Sequence, residues 1–144
     1  MRLVYAVLPS ALPRDKRCKV ARVISLAFER PFDAEKLLQY DKAVFCQEKG
    51  EVVGTAFVRD SPAYPLPTLE CVCVSREIRR QGVARDIIRC VQSDLGYDAL
   101  LLHINRQGNV HYAAARALYE DCGFCPTAED ETEVEMKWER EQQW

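Results

Sequence analysis

Apolar positions change their spacing several times along the 144-residue chain, and each change marks an element. Residues 2–8, RLVYAVL, suit a first strand, closed off by Pro9 and Pro13. From Arg14 to Phe28 the positions Cys18, Val20, Ala21, Val23, Ile24, Leu26, Ala27 and Phe28 form the broad stripe of a helix packed on a sheet. Asp33 can cap a short second helix through Leu38. KAVFCQEKGEVVGTAFVRD then gives two strand-like runs around Lys49-Gly50, a hairpin signal. SPAYPLP, with its prolines, reads as an irregular connection.

Beyond it the pattern changes to near-continuous hydrophobicity. LECVCVS and DALLLHI read as short strands buried on both faces. Between them, Gly82 to Leu95 has a helical stripe of Val83, Ile87, Ile88, Val91 and Leu95, with Gly96 as its stop. HYAAARALYEDCGF is a further helix with Gly123 just past its end, and EVEMKW alternates as a late, half-exposed strand. The order βααββ, then βαβα, then β predicts an α/β fold: a mixed sheet with helices on both faces, in one domain spanning residues 1–144.

Composition changes little in this picture. A hydrophobic content of 48%, a charged content of 29% and a formal net charge of −2 describe a globular chain with no basic footprint for nucleic acid. No apolar run approaches the roughly 20 residues of a membrane span, and no signal-peptide order opens the chain. The late acidic run of Glu129, Asp130, Glu131, Glu133 and Glu135 reads as a solvated face, or as an attractor of a cationic substrate. Seven cysteines suggest free thiols in a reducing, cytoplasmic setting. Cys71, Cys73, Cys122 and Cys125 supply enough thiolates for a zinc site. However, a CxC within a strand points both sulfurs into a core, so buried small hydrophobes and no metal are expected.

The chemistry starts at IRRQGVA, residues 78–84, where a strand runs into a helix through a glycine. The first amides of a helix lack intrahelical partners, and with the positive end of the helix dipole they form an anion site. Gly82 lets that backbone approach an anion without a Cβ in the way, and Arg79, Arg80 and Arg85 add donors matched to phosphate oxygens. Neither GxxxxGK[ST] nor GxGxxG is present, which excludes a P-loop and a dinucleotide fingerprint.

Arg79-Arg80-Gln81-Gly82-Val83-Ala84 resembles the Q/R-x-x-G-x-G/A signature of the GNAT superfamily of acetyl-CoA-dependent N-acetyltransferases, with Ala84 in place of the last glycine. Ala115 to Phe124, ARALYEDCGF, is similar to that family's A-x-x-L-Y-E-x-x-G-F segment. The resemblance implies a twisted sheet of six or seven strands that splays between strands 4 and 5, with acetyl-CoA as cosubstrate in the gap. It places the pyrophosphate on the amides of Arg80, Gln81, Gly82, Val83, Ala84 and Arg85, and the pantetheine arm along Val72, Cys73 and Val74. The Val72 amide would polarise the thioester carbonyl. Many members carry Asn seven residues before the motif tyrosine. Here that position is Tyr112, so Asn105, Asn109 or Tyr112 itself is expected to help hold the cofactor.

The same resemblance makes Tyr119 the general acid that protonates the departing thiolate. Glu70, an acid in an otherwise apolar strand, is the candidate base. The other reading is an edge carboxylate paired with an arginine. LECVCV also resembles the L-E-D-x-x-V of spermidine/spermine acetyltransferases, which favours a small cationic amine as acceptor over a protein lysine or N-terminus. His103, read as a core histidine, and His111 are alternative bases. The connections Phe32–Gln39 and Ser61–Pro67, with Tyr64, are expected to wall the acceptor site. A homodimer is common in the family, and Trp138 and Trp144 are candidates for its interface. The reading from another class is an acyl-CoA sensor without catalysis, which would need neither Glu70 nor Tyr119.

Overall fold

The structure is a computed structural model that describes residues 2–60 and 65–141. Seven strands form one sheet: β1 (Arg2–Val7), β2 (Lys42–Glu48), β3 (Glu51–Arg59), β4 (Thr68–Val74), β5 (Ala99–Asn105), β6 (Cys125–Glu129) and β7 (Glu133–Glu139). Their order is β1-β2-β3-β4-β5-β7-β6, antiparallel throughout except where β4 meets β5. The helices are α1 (Arg14–Phe28), α2 (Val83–Asp94) and α3 (Tyr112–Asp121).

Side-chain alternation assigns the helices to faces. Along β2, Ala43 and Phe45 enter a cluster with Val20 and Ile24 of α1, while Val44 and Cys46 enter one with Ile87, Ile88 and Val91 of α2. Burial on both faces explains why consecutive residues, Ala43 to Cys46 of β2 and Gly54 to Val58 of β3, are all buried. At the β2–β3 hairpin, Lys49 and Gly50 both have positive φ (53° and 79°), as a type I′ turn requires. Asp33 accepts from the Glu35 amide at 3.0 Å, but the turn it caps, Ala34–Gln39, is a 3-10 helix.

Two expectations are corrected. The sequence reading names six strands and omits β6, whose five residues are all exposed. A short edge strand containing Pro126 has no buried face to leave an apolar signature. Strand β5 is not buried on both faces. Leu100, Leu102 and Ile104 enter the α2 cluster, but His103 and Asn105 are exposed, because α1 packs over β3 and β4 and leaves that face of β5 open.

Candidate active site

Strands β4 and β5 pair only through Thr68 and Leu101, joined by the Leu101 amide to the Pro67 carbonyl at 2.9 Å, and then diverge. Within β4 the register against β3 slips between the pairs Thr55–Cys73 and Phe57–Glu70, so an extra residue bulges out. Cys71 takes it up with φ +54°. The bulge is held by Thr55, fully buried, whose hydroxyl donates to the Cys71 carbonyl at 2.9 Å and lies 3.2 Å from the Cys73 sulfur. Cys71 and Cys73 both enter the cluster under α1, and Val72 packs on the opposite side.

Beyond β4 the chain turns through Arg80 (φ +67°) and Gly82 (φ +77°) into α2. The first helical bond runs from the Asp86 amide to the Gly82 carbonyl, which leaves the amides of Val83, Ala84 and Arg85 without intrahelical acceptors. A Cβ on Gly82 would meet nothing within 4 Å; it would project into open space. That space is a cleft of about 470 Å³ lined by Val74, Ile78, Arg79, Arg80, Gly82, Val83, Ala84 and Arg85 on one side and Ala114 and Leu118 of α3 on the other. The three arginines differ in use. Arg79 donates to the Val74 carbonyl at 3.2 Å and fixes the end of β4, and Arg85 pairs with Asp121 at 2.9 Å. Arg80, exposed, makes no hydrogen bond or ion pair among the described residues. Gln81 is turned outward, its amide oxygen held by Arg2 at 2.6 Å.

Tyr119 lies in the last turns of α3, half-buried, its ring edge-on to Phe124 at 5.7 Å. Burial raises its pKa well above the ordinary phenol value, with the Cys122 and Cys73 thiols adding to the effect. On the opposite face of the sheet, Glu70 accepts from the Tyr40 hydroxyl at 3.2 Å and pairs with Arg59 at 3.2 Å. Tyr40 is buried, contacts the Cys71 sulfur at 3.5 Å and carries the Arg59 guanidinium over its ring. Burial, more than its neighbours, raises the Tyr40 pKa, so the phenol remains a donor.

A profile of the Acetyltransferase (GNAT) domain matches residues 40–126, more than half of the chain. The chain belongs to the GNAT superfamily of N-acetyltransferases. Among solved structures it is similar to the ribosomal-protein-S18-alanine N-acetyltransferase of Escherichia coli, with TM-score 0.78, 18% identity, and coverage of 100% of this chain and 97% of that one. It is also similar to an acyl-CoA N-acyltransferase from Pseudomonas aeruginosa (TM-score 0.74, 14% identity, 96% and 99% covered). A putative streptothricin acetyltransferase from Bacillus anthracis in complex with acetyl coenzyme A aligns with TM-score 0.58 at 15% identity, over 71% and 64% of the two chains. No curated protein matched the sequence. At these identities the structural likenesses establish the fold, and the family match establishes an acyltransferase that uses a coenzyme A thioester.

Set in a GNAT domain, the residues expected to hold the cofactor divide into two groups. Val74, Arg79, Arg80, Gly82, Val83, Ala84 and Arg85 line one cleft. Tyr112 does not reach it: its hydroxyl accepts from Arg116 at 2.8 Å and its ring lies under Arg106. Asn109 is also committed elsewhere, donating to the Asn105 carbonyl and accepting from the His111 amide. His103 is no core histidine; it is exposed and 3.2 Å from Glu135. Much of the acidic run is internally engaged, with Asp130 accepting from the Thr132 and Glu133 amides in the β6–β7 turn. Trp138 packs into its own core, while Trp144, Tyr64 and most of the Ser61–Pro67 connection lie outside the described residues. Among the described residues no group of three His, Cys, Asp or Glu side chains could hold a metal, and no helix is long and apolar enough to cross a membrane. Sequence reasoning missed Tyr40 and Arg59, which β3–β4 register and the packing beneath α1 bring to Glu70.

Proposed function

We propose that this GNAT protein transfers an acetyl group from acetyl-CoA to a primary amine by direct attack, the acceptor being a small cationic amine. The observation that carries this reading is the cleft: it runs from the α2 N-terminus to Val74 at the end of β4, beside the strands that diverge beyond Thr68 and Leu101, and its far wall is Ala114 and Leu118 of α3, the latter next in sequence to Tyr119. The donor set fits acetyl-CoA. Unpaired amides, Gly82 and Arg80 suit the pyrophosphate, while Val74, Ala114 and Leu118 offer apolar walls to the pantetheine. Acetyl-CoA, when bound, supplies the activated acyl carbon. The bulge at Cys71–Val72 frees the Val72 amide from the regular ladder, so that it can donate to the thioester carbonyl. Tyr119, kept protonated, donates to the sulfur as it leaves.

Glu70 gives the acceptor side its negative charge and draws an ammonium to the gap; Arg59 and Tyr40 hold the carboxylate in place. The second reading is a protein lysine or N-terminus as acceptor, favoured by the sheet face left open over β5 beside the gap. A cytoplasmic location is part of the proposal, because Cys46, Cys73, Cys90 and Cys122 serve as core side chains with free thiols. Thiol release from acetyl-CoA against spermidine, spermine, diamines, aminoglycosides and peptides with free lysines or N-termini tests the proposal. Release with the polyamines is expected. Release with peptides alone would reject the small-amine acceptor, and acetyl-CoA binding without release to any amine would leave the non-catalytic sensor.

A further inference from the structure

The cofactor cleft opens on the α2/α3 face of the sheet; on the other face α1 packs over β2, β3 and β4 and leaves His103 and Asn105 of β5 exposed. Thr68 and Leu101 are the sole pair joining β4 to β5. Two residues beyond each lie Glu70 and His103, and two residues along a strand return to the same face at the next level. Glu70 is on the α1 face, because it bonds to Tyr40 of the cluster beneath α1. His103 is on that face too, because its neighbours Leu102 and Ile104 point into the α2 cluster. The two side chains therefore stand at the same height on opposite rims of the gap.

Their hydrogen bonding differs. Both Glu70 oxygens are engaged, Oε1 accepting from the Tyr40 hydroxyl and Oε2 in an ion pair with Arg59. His103 uses only Nε2, 3.2 Å from the Glu135 carboxylate, and Nδ1 has no hydrogen bond among the described residues. Glu135 is itself oriented by the Thr127 hydroxyl, which donates to its Oε2 at 2.8 Å. Chiefly through that bond, and with help from His103, its carboxyl is held below the usual carboxylate range and stays charged. A charged carboxylate at Nε2 fixes the proton there and leaves the Nδ1 lone pair as an acceptor.

We infer that His103, seated on Glu135, takes the proton from the acceptor ammonium while Glu70 across the gap holds that ammonium in place; this rests on the acetyltransferase reading. The ammonium gives one proton to His103 Nδ1 and passes as a neutral amine to the acyl carbon. The C–N bond forms and the C–S bond breaks. The departing sulfur takes the Tyr119 proton, and the second proton shed by nitrogen returns through water to the Tyr119 oxygen. His103 then releases its proton to solvent, to which it is exposed. The charged groups facing His103 are Glu135, directly opposite on β7, with Glu133 and Lys137 on either side of it and Glu70, paired to Arg59, across the gap.

The test is thiol release from acetyl-CoA with spermidine and with a short peptide bearing a free lysine and N-terminus. Wild type, His103→Ala and Glu135→Gln are followed from pH 5.5 to 9.5, with acetyl-CoA affinity measured separately by calorimetry. A positioned base contributes about 10²–10⁴-fold. His103→Ala is expected to lower kcat/KM about 100-fold near neutral pH, to abolish the acidic limb of the profile, and to leave acetyl-CoA affinity within about twofold. Added imidazole is expected to restore part of the rate, which a purely structural loss would not allow. Glu135→Gln, which releases the ring, is expected to fall between the two. An active wild type whose limb survives in His103→Ala overturns this inference and leaves the acetyltransferase reading standing. A wild type that binds acetyl-CoA and releases no thiol to either acceptor overturns both.

Discussion

Thr55 connects the stability of the fold to the geometry of the gap, and Thr55→Val separates its two contributions. Valine has the same shape, so packing against the core is kept. The lost group is the hydroxyl that donates to the Cys71 carbonyl at 2.9 Å and meets the Cys73 sulfur at 3.2 Å. With Thr55 at 0% exposure, no water replaces it. A buried carbonyl left without a donor costs about 1–3 kcal/mol, and the extra buried methyl offsets up to about 0.8 kcal/mol. Cys71 also holds a left-handed conformation that disfavours a side-chain-bearing residue by about 1–2 kcal/mol. Without the clamp the bulge is free to relax toward a regular ladder. The net loss is therefore about 1–2 kcal/mol, or about 3–6 °C in Tm for a chain of this size. Turnover should fall by more than stability explains, because the Val72 amide moves with the bulge. Urea unfolding gives the first quantity, and steady-state thiol release at a temperature where the variant is fully folded gives the second. Thr55→Ser, which keeps the hydroxyl, should retain turnover. A valine variant as stable and active as wild type would refute the clamp.

Tyr119→Phe should lower kcat by about 10²–10⁴-fold with acetyl-CoA affinity nearly unchanged; unaltered turnover would remove Tyr119 as the acid. Gly54→Ala places a Cβ 2.7 Å from Ile87 Cδ1 and 3.3 Å from the Cys73 carbonyl, and Ile87 is fully buried. It should destabilise the fold by about 1–3 kcal/mol and weaken acetyl-CoA by shifting α2, checked by urea unfolding and calorimetry. Tyr40 and Tyr119 both have folded-state pKa values raised above the ordinary phenol value of about 10. Their stabilising contribution is complete below that pH and lost as pH rises through the folded values, so stability should decline above about pH 10. Unfolding free energy flat from pH 9 to 11 would contradict it.

Much of the fold was legible in the sequence because burial writes itself into spacing. Strand β4 reads as an apolar run, β2 and β3 as strand-like runs about a hairpin turn, and α2 carries one clear stripe. The α2 N-terminus was legible for a different reason: glycine and arginine at a strand–helix junction have a local meaning. The acceptor side was not. Tyr40 and Arg59 are distant from Glu70 in sequence, and only β3–β4 register and the packing beneath α1 bring them together. His103 was misread because a run such as LLLHI cannot show where the covering helix stops. Tyr112, expected at the cofactor on motif spacing, is bonded instead to Arg116 within α3, and Asn109, expected as its substitute, closes the loop before α3.

The most direct measurement is titration calorimetry of acetyl-CoA into the wild type and into Gly82→Glu. At Gly82 a side chain would enter the open cleft at the α2 N-terminus and bring a negative charge to the pyrophosphate position. The wild type should bind with one site per chain, and the variant should show no binding while its unfolding remains cooperative. Undiminished binding by a folded Gly82→Glu would mean that acetyl-CoA does not lie on the α2 N-terminus, and the path from cleft to gap would have to be abandoned.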